Sequence, residues 1–220
     1  DARGPWKQME LLKFGPYREP NRLGFQIDFW PVRTENVDEF LAGTNPVDAE
    51  TLGSAGTSVK GFAAVEYLIY GPATLADMTS NPRRCEYIKG AAGELANNAA
   101  AMRKAWDPSG DDYLKTMTHA GRVESQFEDV NAALGEIVNR MAHTIENIRV
   151  DKLLKPLSKD IGVVQQDKVE SRFSHRSIQD IRDNLLGIQN TYFGASPESG
   201  LKVLLDDAYD DRFQTYLSDI

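Results

Sequence analysis

The chain has 220 residues, of which 41 % are hydrophobic and 26 % are charged, and this composition excludes a disordered or fibrous protein. Lys and Arg number 25 against 33 Asp and Glu, and the resulting net charge of −8 disfavours non-specific binding to nucleic acid or to anionic membrane surfaces. No apolar run reaches the roughly 20 residues of a membrane span, and the single cysteine, Cys85, excludes an internal disulfide.

The N-terminal part of the chain is predicted to form a short helix followed by an irregular segment. Residues 6–14 show a helical pattern without a clear start signal. Residues 13–32 are rich in glycine, proline and aromatic residues, and their prolines would break a helix. From Thr34, a predicted N-cap, the pattern becomes helical, and Asn45-Pro46 is predicted to begin another short helix.

Apolar residues then recur at three- and four-residue steps, which is typical of amphipathic helices. The predicted helices cover residues 58–70, 81–106, 125–154, 177–192 and 209–220. Gly71-Pro72 is expected to end the first of them, Asn81-Pro82 to begin the second, and Ser177 to cap the fourth. Apolar and polar residues alternate, as they would in a strand, only briefly, at residues 24–30 and 162–164. The sequence therefore predicts an all-α fold of long antiparallel helices in bundle packing.

The domain organisation is predicted to be a single helical region over residues 1–220, with halves at 1–120 and 121–220 as the alternative division. The helical patterns at 6–14 and 209–220 carry no start or stop signals. We therefore expect a piece of a longer protein, in which the bundle partners of both terminal helices are missing or come from another chain.

His143 and Glu146 are the candidate metal ligands. Their H-x-x-E spacing places both side chains on one face of a helix, and di-metal helix bundles use this kind of spacing. Such centres need several inward-facing carboxylates and usually two of these motifs, whereas this chain offers one. The alternative is a surface histidine beside an acidic neighbour.

Glu66 is a second candidate, because it interrupts an otherwise apolar helix. A carboxylate in that position must face solvent, find a cation or lie in a functional cavity. Arg22, in the irregular segment, is the predicted cation, since a guanidinium can bind a carboxylate at two points. Arg83 and Arg176 are the alternatives.

A ligand cleft around Glu66 would draw on two further parts of the chain. The irregular segment supplies aromatic and charged groups, and the segment before the fourth predicted helix supplies two serines, of which Ser177 is also explained as a cap. The predicted cleft residues are Glu66, Arg22, Asp28, Trp30, Arg83, Ser174, Arg176 and Ser177. No G-x-S-x-G motif or glycine-rich phosphate loop accompanies them.

Residues 60–71, Lys-Gly-Phe-Ala-Ala-Val-Glu-Tyr-Leu-Ile-Tyr-Gly, resemble the signature helix of the imelysin-like family. Other stretches resemble the family's motifs in the same order, and together they span nearly the whole chain. They lie at residues 12–16, 21–24, 28–31, 83–89, 151–157, 173–177, 184–188 and 192–194. The sequence is most similar to the branch described as periplasmic lipoproteins.

The resemblance implies two helical-bundle halves with a cleft between them, with Glu66 near the cleft. It also implies a bacterial precursor with a signal peptide that is exported to the periplasm and lipid-anchored. Many members are iron-regulated, and some are classed as metallopeptidases. The family motif G-x-H-x-x-E reads Gly61-Phe-Ala63-Ala-Val-Glu66 here, and alanine has no lone pair for a metal.

Three functions follow as hypotheses. The first is a non-catalytic periplasmic binding or accessory protein linked to iron acquisition. The second, a zinc metallopeptidase, is disfavoured because such a centre needs three protein ligands and an open position, and Ala63 supplies none. The third is a structural envelope module that binds a partner protein. The sequence identifies no cofactor, although a metal remains an option, and the partner would be a small ligand, a metal or an envelope protein.

Overall fold

Helices form the regular structure of this chain. The computed structural model describes residues 4–20, 22–72, 75–158, 162–196 and 198–218, and these contain no strand, which confirms the all-α prediction. The α-helices are α1 Gly4–Met9, α2 Leu23–Ile27, α3 Thr34–Ala42, α4 Ala49–Ser54, α5 Gly61–Tyr70, α6 Leu75–Ser80, α7 Pro82–Trp106, α8 Tyr113–Thr118, α9 Val130–Asn147, α10 Lys155–Leu157, α11 Ser177–Phe193 and α12 Asp207–Ser218. A π-helix, Ile148–Leu154, joins α9 to α10, and 3₁₀ turns lie at Glu10–Leu12, Gly15–Tyr17, Thr57–Val59, Gln166–Lys168 and Leu201–Leu204.

Several predicted helix ends lie where the residue chemistry places them. The side chain of Asn81 accepts a hydrogen bond from the amide of Arg84, and Pro82 opens α7 at a position where no amide hydrogen is needed. Gly71 ends α5. Gly194 ends α11 with a φ of 73°, a conformation that favours glycine.

Two other predicted helix starts were wrong because a different side chain caps the helix, and one predicted cap is not formed. Asp48 accepts a hydrogen bond from the amide of Thr51, so α4 begins at Ala49 and not at Asn45-Pro46. Asp129 accepts one from the amide of Ala132, so α9 begins later than residue 125. The hydroxyl of Ser177 accepts a bond from the amide of Ser171 and does not cap α11.

The main hydrophobic core lies between α3, α4, α5 and α7. Leu68 of α5 and Tyr87 of α7 are fully buried in it, together with Val37 and Leu52. Close approach of α7 to the start of α4 depends on Gly90, because a Cβ there would lie 1.8 Å from the carbonyl oxygen of Val47. This core holds the signature helix α5 in place.

A separate core joins the two ends of the chain. Leu11 from the N-terminal turn packs with Met141 of α9 and with Ile188 and Tyr192 of α11. Helix α1 lies along α11, so it has a packing partner within this chain. The expectation that its partner is missing was therefore wrong for α1. No helix among the described residues is both long and apolar enough to cross a membrane.

Candidate functional site

A buried group of charged and polar side chains lies where the N-terminal turn meets the π-helix and α11. We call it the lysine–carboxylate cluster. Its members are Lys7, Glu10, Asp28, Lys152, Glu170 and Asn184. Six separate segments of the chain supply them, so the cluster forms only when these distant segments come together.

Lys7 is the most deeply buried of these side chains, with none of its surface exposed. Its ammonium nitrogen lies 2.6 Å from Oε1 of Glu170 and 3.5 Å from Oδ2 of Asp28. The indole Nε1 of Trp30 donates a hydrogen bond of 3.0 Å to the carbonyl oxygen of Glu170. Asp28 and Trp30, predicted as cleft residues, are therefore brought together at this place.

Lys152 joins the other half of the cluster. Its Nζ lies 2.9 Å from Oε2 of Glu170 and 3.3 Å from Oε2 of Glu10, and it donates a 2.5 Å hydrogen bond to Oδ1 of Asn184. The amide of Asn184 in turn donates to Oε2 of Glu10 at 2.5 Å and to the carbonyl oxygen of Lys7 at 2.9 Å. Lys152 lies in the π-helix, a form of helix that is frequently found at functional sites.

The lysines keep the buried acids ionised. Burial alone would raise the pKa of Glu10, but the charges of Lys7, Lys13 and Lys152 outweigh it and hold that pKa far below its ordinary value. Burial likewise opposes ionisation of Glu170, and the nearby Lys7 and Lys152 again lower its pKa. The cluster therefore contains fixed charges of both signs.

A cavity of about 260 Å³ opens against this cluster. Trp30 and Asn147 contribute to its wall, and the remainder of the wall is charged. The charged wall residues are Glu10, Lys13, Asp28, Asp151, Lys152, Lys155 and Glu170. Because the wall carries both donors and acceptors, it can bind a ligand that carries both kinds of group.

Glu66, on α5, is linked to the cluster through the loop that precedes α11. Its side chain is 5 % exposed, and its Oε1 accepts hydrogen bonds from the amide nitrogen of Ser174 at 3.0 Å and from the Ser174 hydroxyl at 2.6 Å. The stretch from Glu170 to Ser174 therefore contacts both the cluster and the signature helix. Ser177 supports the same stretch through its bond from the amide of Ser171.

Two of the predicted arginines lie elsewhere, and the expected ion pair between Arg22 and Glu66 is not formed. The guanidinium of Arg22 lies over the ring of Phe25, 5.0 Å from the ring centre, and Arg22 itself is exposed. Arg83 donates to the carbonyl oxygens of residues 40, 41 and 45, so it braces the loop after α3. Arg176 directly precedes α11.

His143 and Glu146 lie on the exposed side of α9. Both oxygens of Glu146 accept hydrogen bonds from Arg149, at 2.6 and 2.9 Å. Among the described residues, one group of three side chains is placed to share a metal ion: Glu10, Asp28 and Glu170, whose carboxylate oxygens lie within 4.8 Å of one another. Neither His143 nor Glu146 belongs to this group. The helical spacing therefore places His143 and Glu146 on one face of α9, but no third ligand among the described residues joins them there.

Sequence reasoning missed Lys7, Glu10 and Glu170 as members of the site. Each is a charged residue in a short helix or loop, where the default interpretation is exposure to solvent. Lys152 and Asn184 did carry a signal, because they lie in residues 151–157 and 184–188, two of the stretches that resemble the family's motifs. The structure shows that these two motifs meet, since Lys152 binds Asn184 directly.

The fold and the site define an all-α protein with a cluster of buried ion pairs beside a small polar cavity. The family model for Imelysin (Peptidase_M75) matches residues 1–218. The chain therefore belongs to the imelysin family, as the sequence motifs indicated.

Individual relatives agree with this assignment. Iron-regulated protein A of Synechococcus elongatus is 28 % identical over 199 residues, which cover 88 % of this chain and 50 % of the relative. The chain thus spans about half the length of this curated relative.

Two solved structures share the fold. One is described as an iron-regulated protein A precursor from Parabacteroides distasonis and has a TM-score of 0.78 at 20 % identity. The match covers 99 % of this chain and 68 % of the chain in that structure. An imelysin-like protein from Psychrobacter arcticum has a TM-score of 0.76 at 18 % identity, with coverage of 97 % and 64 %.

Proposed function

We propose that this protein is a non-catalytic binding or accessory protein of bacterial iron acquisition, and that it holds its ligand at the lysine–carboxylate cluster. The link to iron is supported by the names of the relatives, two of which are iron-regulated protein A or its precursor. Export to the periplasm, with a lipid anchor on the full precursor, belongs to the same proposal and is supported by the resemblance to the lipoprotein branch.

The observation that carries this proposal is the cavity against a preformed set of buried charges, in which two lysines are shared by three acids. Removing one partner from a buried ion pair costs about 3–5 kcal/mol, so these lysines are needed to keep the acids buried and ionised. The cavity of about 260 Å³ is smaller than the roughly 300–1,000 Å³ of drug-sized sites. The proposed ligand is therefore a small polar molecule with both donor and acceptor groups.

A catalytic role at the signature helix is disfavoured by the residues present there. The family's metal would need a ligand at position 63, and Ala63 is 1 % exposed and has no donor atom. Glu66 accepts two hydrogen bonds from Ser174, so its Oε1 is committed to a structural contact. These residues do not fit a zinc peptidase centre, and we assign no catalytic step to them.

One observation favours a second candidate, a cation held by Glu10, Asp28 and Glu170. One carboxylate oxygen from each lies within 4.8 Å of the others, and hard cations prefer oxygen ligands. The ammonium groups of Lys7 and Lys152 already contact Glu170. A cation would therefore have to displace at least one ammonium group to bind.

Replacement of Lys152 by methionine separates the two candidates. Calorimetric titration would use Fe(II), ferric citrate, Zn(II) and Ca(II) for the cation, and a panel of amino acids and hydroxy acids for the polar ligand. Lys152→Met should abolish binding of a polar ligand, because it removes a donor from the wall. The same variant should tighten binding of a cation, because it removes the competing charge. Lys168→Met is the matched control, because Lys168 is an exposed lysine paired with Asp167 and lies outside the cavity wall.

Elemental analysis of protein purified without chelators completes the test. Protein without stoichiometric metal that binds a polar ligand supports the proposal, and stoichiometric metal supports the second candidate. Hydrolysis of an unstructured protein substrate such as casein, abolished by Glu66→Gln, would show instead that the protein is a peptidase.

A further inference from the structure

A turn formed by residues 170–175 connects the cavity of the lysine–carboxylate cluster to the signature helix α5. We call it the bridging turn. It directly precedes α11 and belongs to no helix. Its first residue, Glu170, lies in the cavity wall, and its fifth, Ser174, contacts Glu66. Because no helix sets its conformation, contacts with the surrounding elements have to do so.

The cavity end of the bridging turn is held by three side chains. The indole Nε1 of Trp30 donates a 3.0 Å hydrogen bond to the carbonyl oxygen of Glu170. The two carboxylate oxygens of Glu170 lie 2.6 Å from Nζ of Lys7 and 2.9 Å from Nζ of Lys152. A binding site depends on side chains held within about 0.5 Å of their working positions. A displacement of Glu170 would therefore change the cavity wall.

The other end of the bridging turn is held by Glu66. The amide and the hydroxyl of Ser174 both donate to Oε1 of Glu66, at 3.0 and 2.6 Å. The next residue, His175, has a φ of 56°, a left-handed conformation that is uncommon for residues other than glycine. Such a conformation persists only where the surrounding contacts determine it. The two bonds to Glu66 supply such contacts directly before the strained residue.

The residues between the two ends are packed as well. The ring of Phe173 lies 5.1 Å from the ring of Tyr67, the neighbour of Glu66 on α5. Ser171 is fully buried, and its amide donates a 2.9 Å hydrogen bond to the hydroxyl oxygen of Ser177. Packed protein interiors transmit displacements because they are hardly compressible. A change at Ser174 therefore cannot be absorbed by loose chain before it reaches Glu170.

We infer that Glu66 is a positioning residue for the ligand site at the lysine–carboxylate cluster. Through Ser174 it fixes the bridging turn, and through the turn it fixes Glu170 in the cavity wall. Neither Glu66 nor Ser174 is among the wall residues of the cavity, so the signature helix acts on the site from outside. The effect on ligand affinity rests on the function proposed above, whereas the effect on the position of Glu170 does not.

Trp30 reports the position of Glu170 without any ligand, because its indole donates to the carbonyl oxygen of Glu170. The experiment measures hydrogen–deuterium exchange of the indole groups in the whole chain by heteronuclear NMR, with the Trp30 signal assigned by its loss in Trp30→Phe. Trp106, which packs against Phe14 and Tyr113, is the internal reference. A general loss of stability would raise exchange at both indoles, whereas a displaced Glu170 would raise it at Trp30 alone.

Three variants grade the contact between Glu66 and Ser174. Glu66→Ala removes the acceptor, so exchange at Trp30 should rise relative to Trp106 by at least about tenfold, a change of about 1.4 kcal/mol. Glu66→Gln keeps an oxygen that can accept from Ser174, so it should leave this ratio unchanged although it lowers the Tm. Ser174→Ala keeps the amide bond, so the ratio should rise about two- to tenfold, the range of one hydrogen bond.

Ser174→Ala also covers the case in which Glu66→Ala does not fold, because Ser174 is only partly buried. Its matched control is Ser80→Ala. That variant removes an exposed hydroxyl that donates to the carbonyl oxygen of Asp77, and it should leave both indoles unchanged.

Titration with the amino acids and hydroxy acids named above, and with Ca(II), measures the effect on the site. Glu170 belongs both to the cavity wall and to the carboxylate group that could hold a cation. Glu66→Ala should therefore weaken whichever probe the wild type binds by at least about tenfold, and Glu66→Gln should bind that probe as the wild type does. If the wild type binds none of them, the proposed function fails, and the exchange ratio still decides whether Glu66 positions Glu170.

Three results would overturn the inference. An unchanged exchange ratio in Ser174→Ala would show that the contact with Glu66 does not reach Glu170. Equal increases at Trp30 and Trp106 in Glu66→Ala would show a general loss of stability in place of positioning. An effect of Glu66→Gln as large as that of Glu66→Ala would show that the charge of Glu66 acts on the site, and not its bonds to Ser174.

Discussion

Lys152 holds three members of the cluster together, and the pKa values of its partners make that role measurable. The folded-state pKa of Glu10 and of Glu170 lies below the ordinary value of 4.5. Because these values are lowered on folding, the pairs stabilise the protein above about pH 4.5, and that stabilisation is lost as the pH falls through the folded-state values. Acid should therefore destabilise the protein partly through this cluster.

The first prediction concerns Lys152→Met. At pH 7 the variant should lose roughly 3 kcal/mol of unfolding free energy, the lower end of the range for a broken buried ion pair. Glu10 and Glu170 each lose one cation but keep another, Lys13 and Lys7 respectively. Below pH 4.5 its stability should fall less steeply than that of the wild type. Urea unfolding between pH 7 and 3.5 measures both effects. The exposed pair of Lys155 with Asp151 is worth less than about 1 kcal/mol, so Lys155→Met should follow the wild-type curve.

The second prediction concerns Glu66→Gln. The carboxylate accepts two hydrogen bonds from Ser174 in a buried setting, and bonds to a charged group contribute about 1.5–3 kcal/mol. At about 2–4 °C per kcal/mol for a chain of this size, the Tm should fall by several degrees. Glu128→Gln, at an exposed position, is the control. Equal melting of the two variants would show that Glu66 contributes no more than a surface residue.

These residues also show how far the sequence could predict the site. Glu66 was found because it interrupts an apolar pattern, and Asp28 and Trp30 because charge and aromatic residues share a long irregular segment. Glu170 interrupts nothing in its local sequence, and its importance comes from Lys7, 163 positions away. A contact over that distance leaves no periodic signal, so only the fold could reveal it.

At the scale of elements, the two ends of α7 could be predicted, whereas the caps of α4 and α9 and the change in helix geometry within residues 125–154 could not. Asn81-Pro82 and the residues after Trp106 fixed both ends of α7 correctly. The segment predicted as one helix over residues 125–154 instead changes from α to π geometry at Ile148. The change alters the direction in which Lys152 points, and apolar periodicity alone does not encode it.

The third prediction tests the contact between α1 and α11. A Cβ at Gly187 would lie 2.5 Å from the backbone oxygen of Gln8, so Gly187→Ala must push away the helix that carries Lys7. Overpacking of this kind costs about 1–3 kcal/mol. A Cβ at Gly135, within α9, meets nothing within 4 Å, and Gly135→Ala should stabilise by about 0.5–1 kcal/mol through helix propensity. Urea unfolding of both variants decides the point, and equal effects would contradict close packing at Gly187.

At the scale of the whole molecule, the two ends of the chain form one structural unit. The lysine–carboxylate cluster combines Lys7 and Glu10 with residues beyond position 150, and the core around Leu11 crosses the same boundary. The cluster contains charges of both signs, whereas the molecule carries a net charge of −8. Most of the acidic excess therefore lies outside the cluster.

The last prediction tests the alternative division into halves 1–120 and 121–220. All buried residues of the core around Leu68 and Tyr87 lie within the first half, and Phe173 from the second half packs against them. Fragment 1–120 should therefore melt cooperatively, at a lower Tm than the whole chain. Fragment 121–220 loses Leu11 from its core and leaves Glu170 and Lys152 without their N-terminal partners, so it should show helical circular dichroism without a cooperative transition. Thermal melts of the two fragments and of the whole chain provide the measurement. If fragment 121–220 instead melted cooperatively at the temperature of the whole chain, the halves would be independent domains and the buried contacts between the chain ends would contribute little to stability.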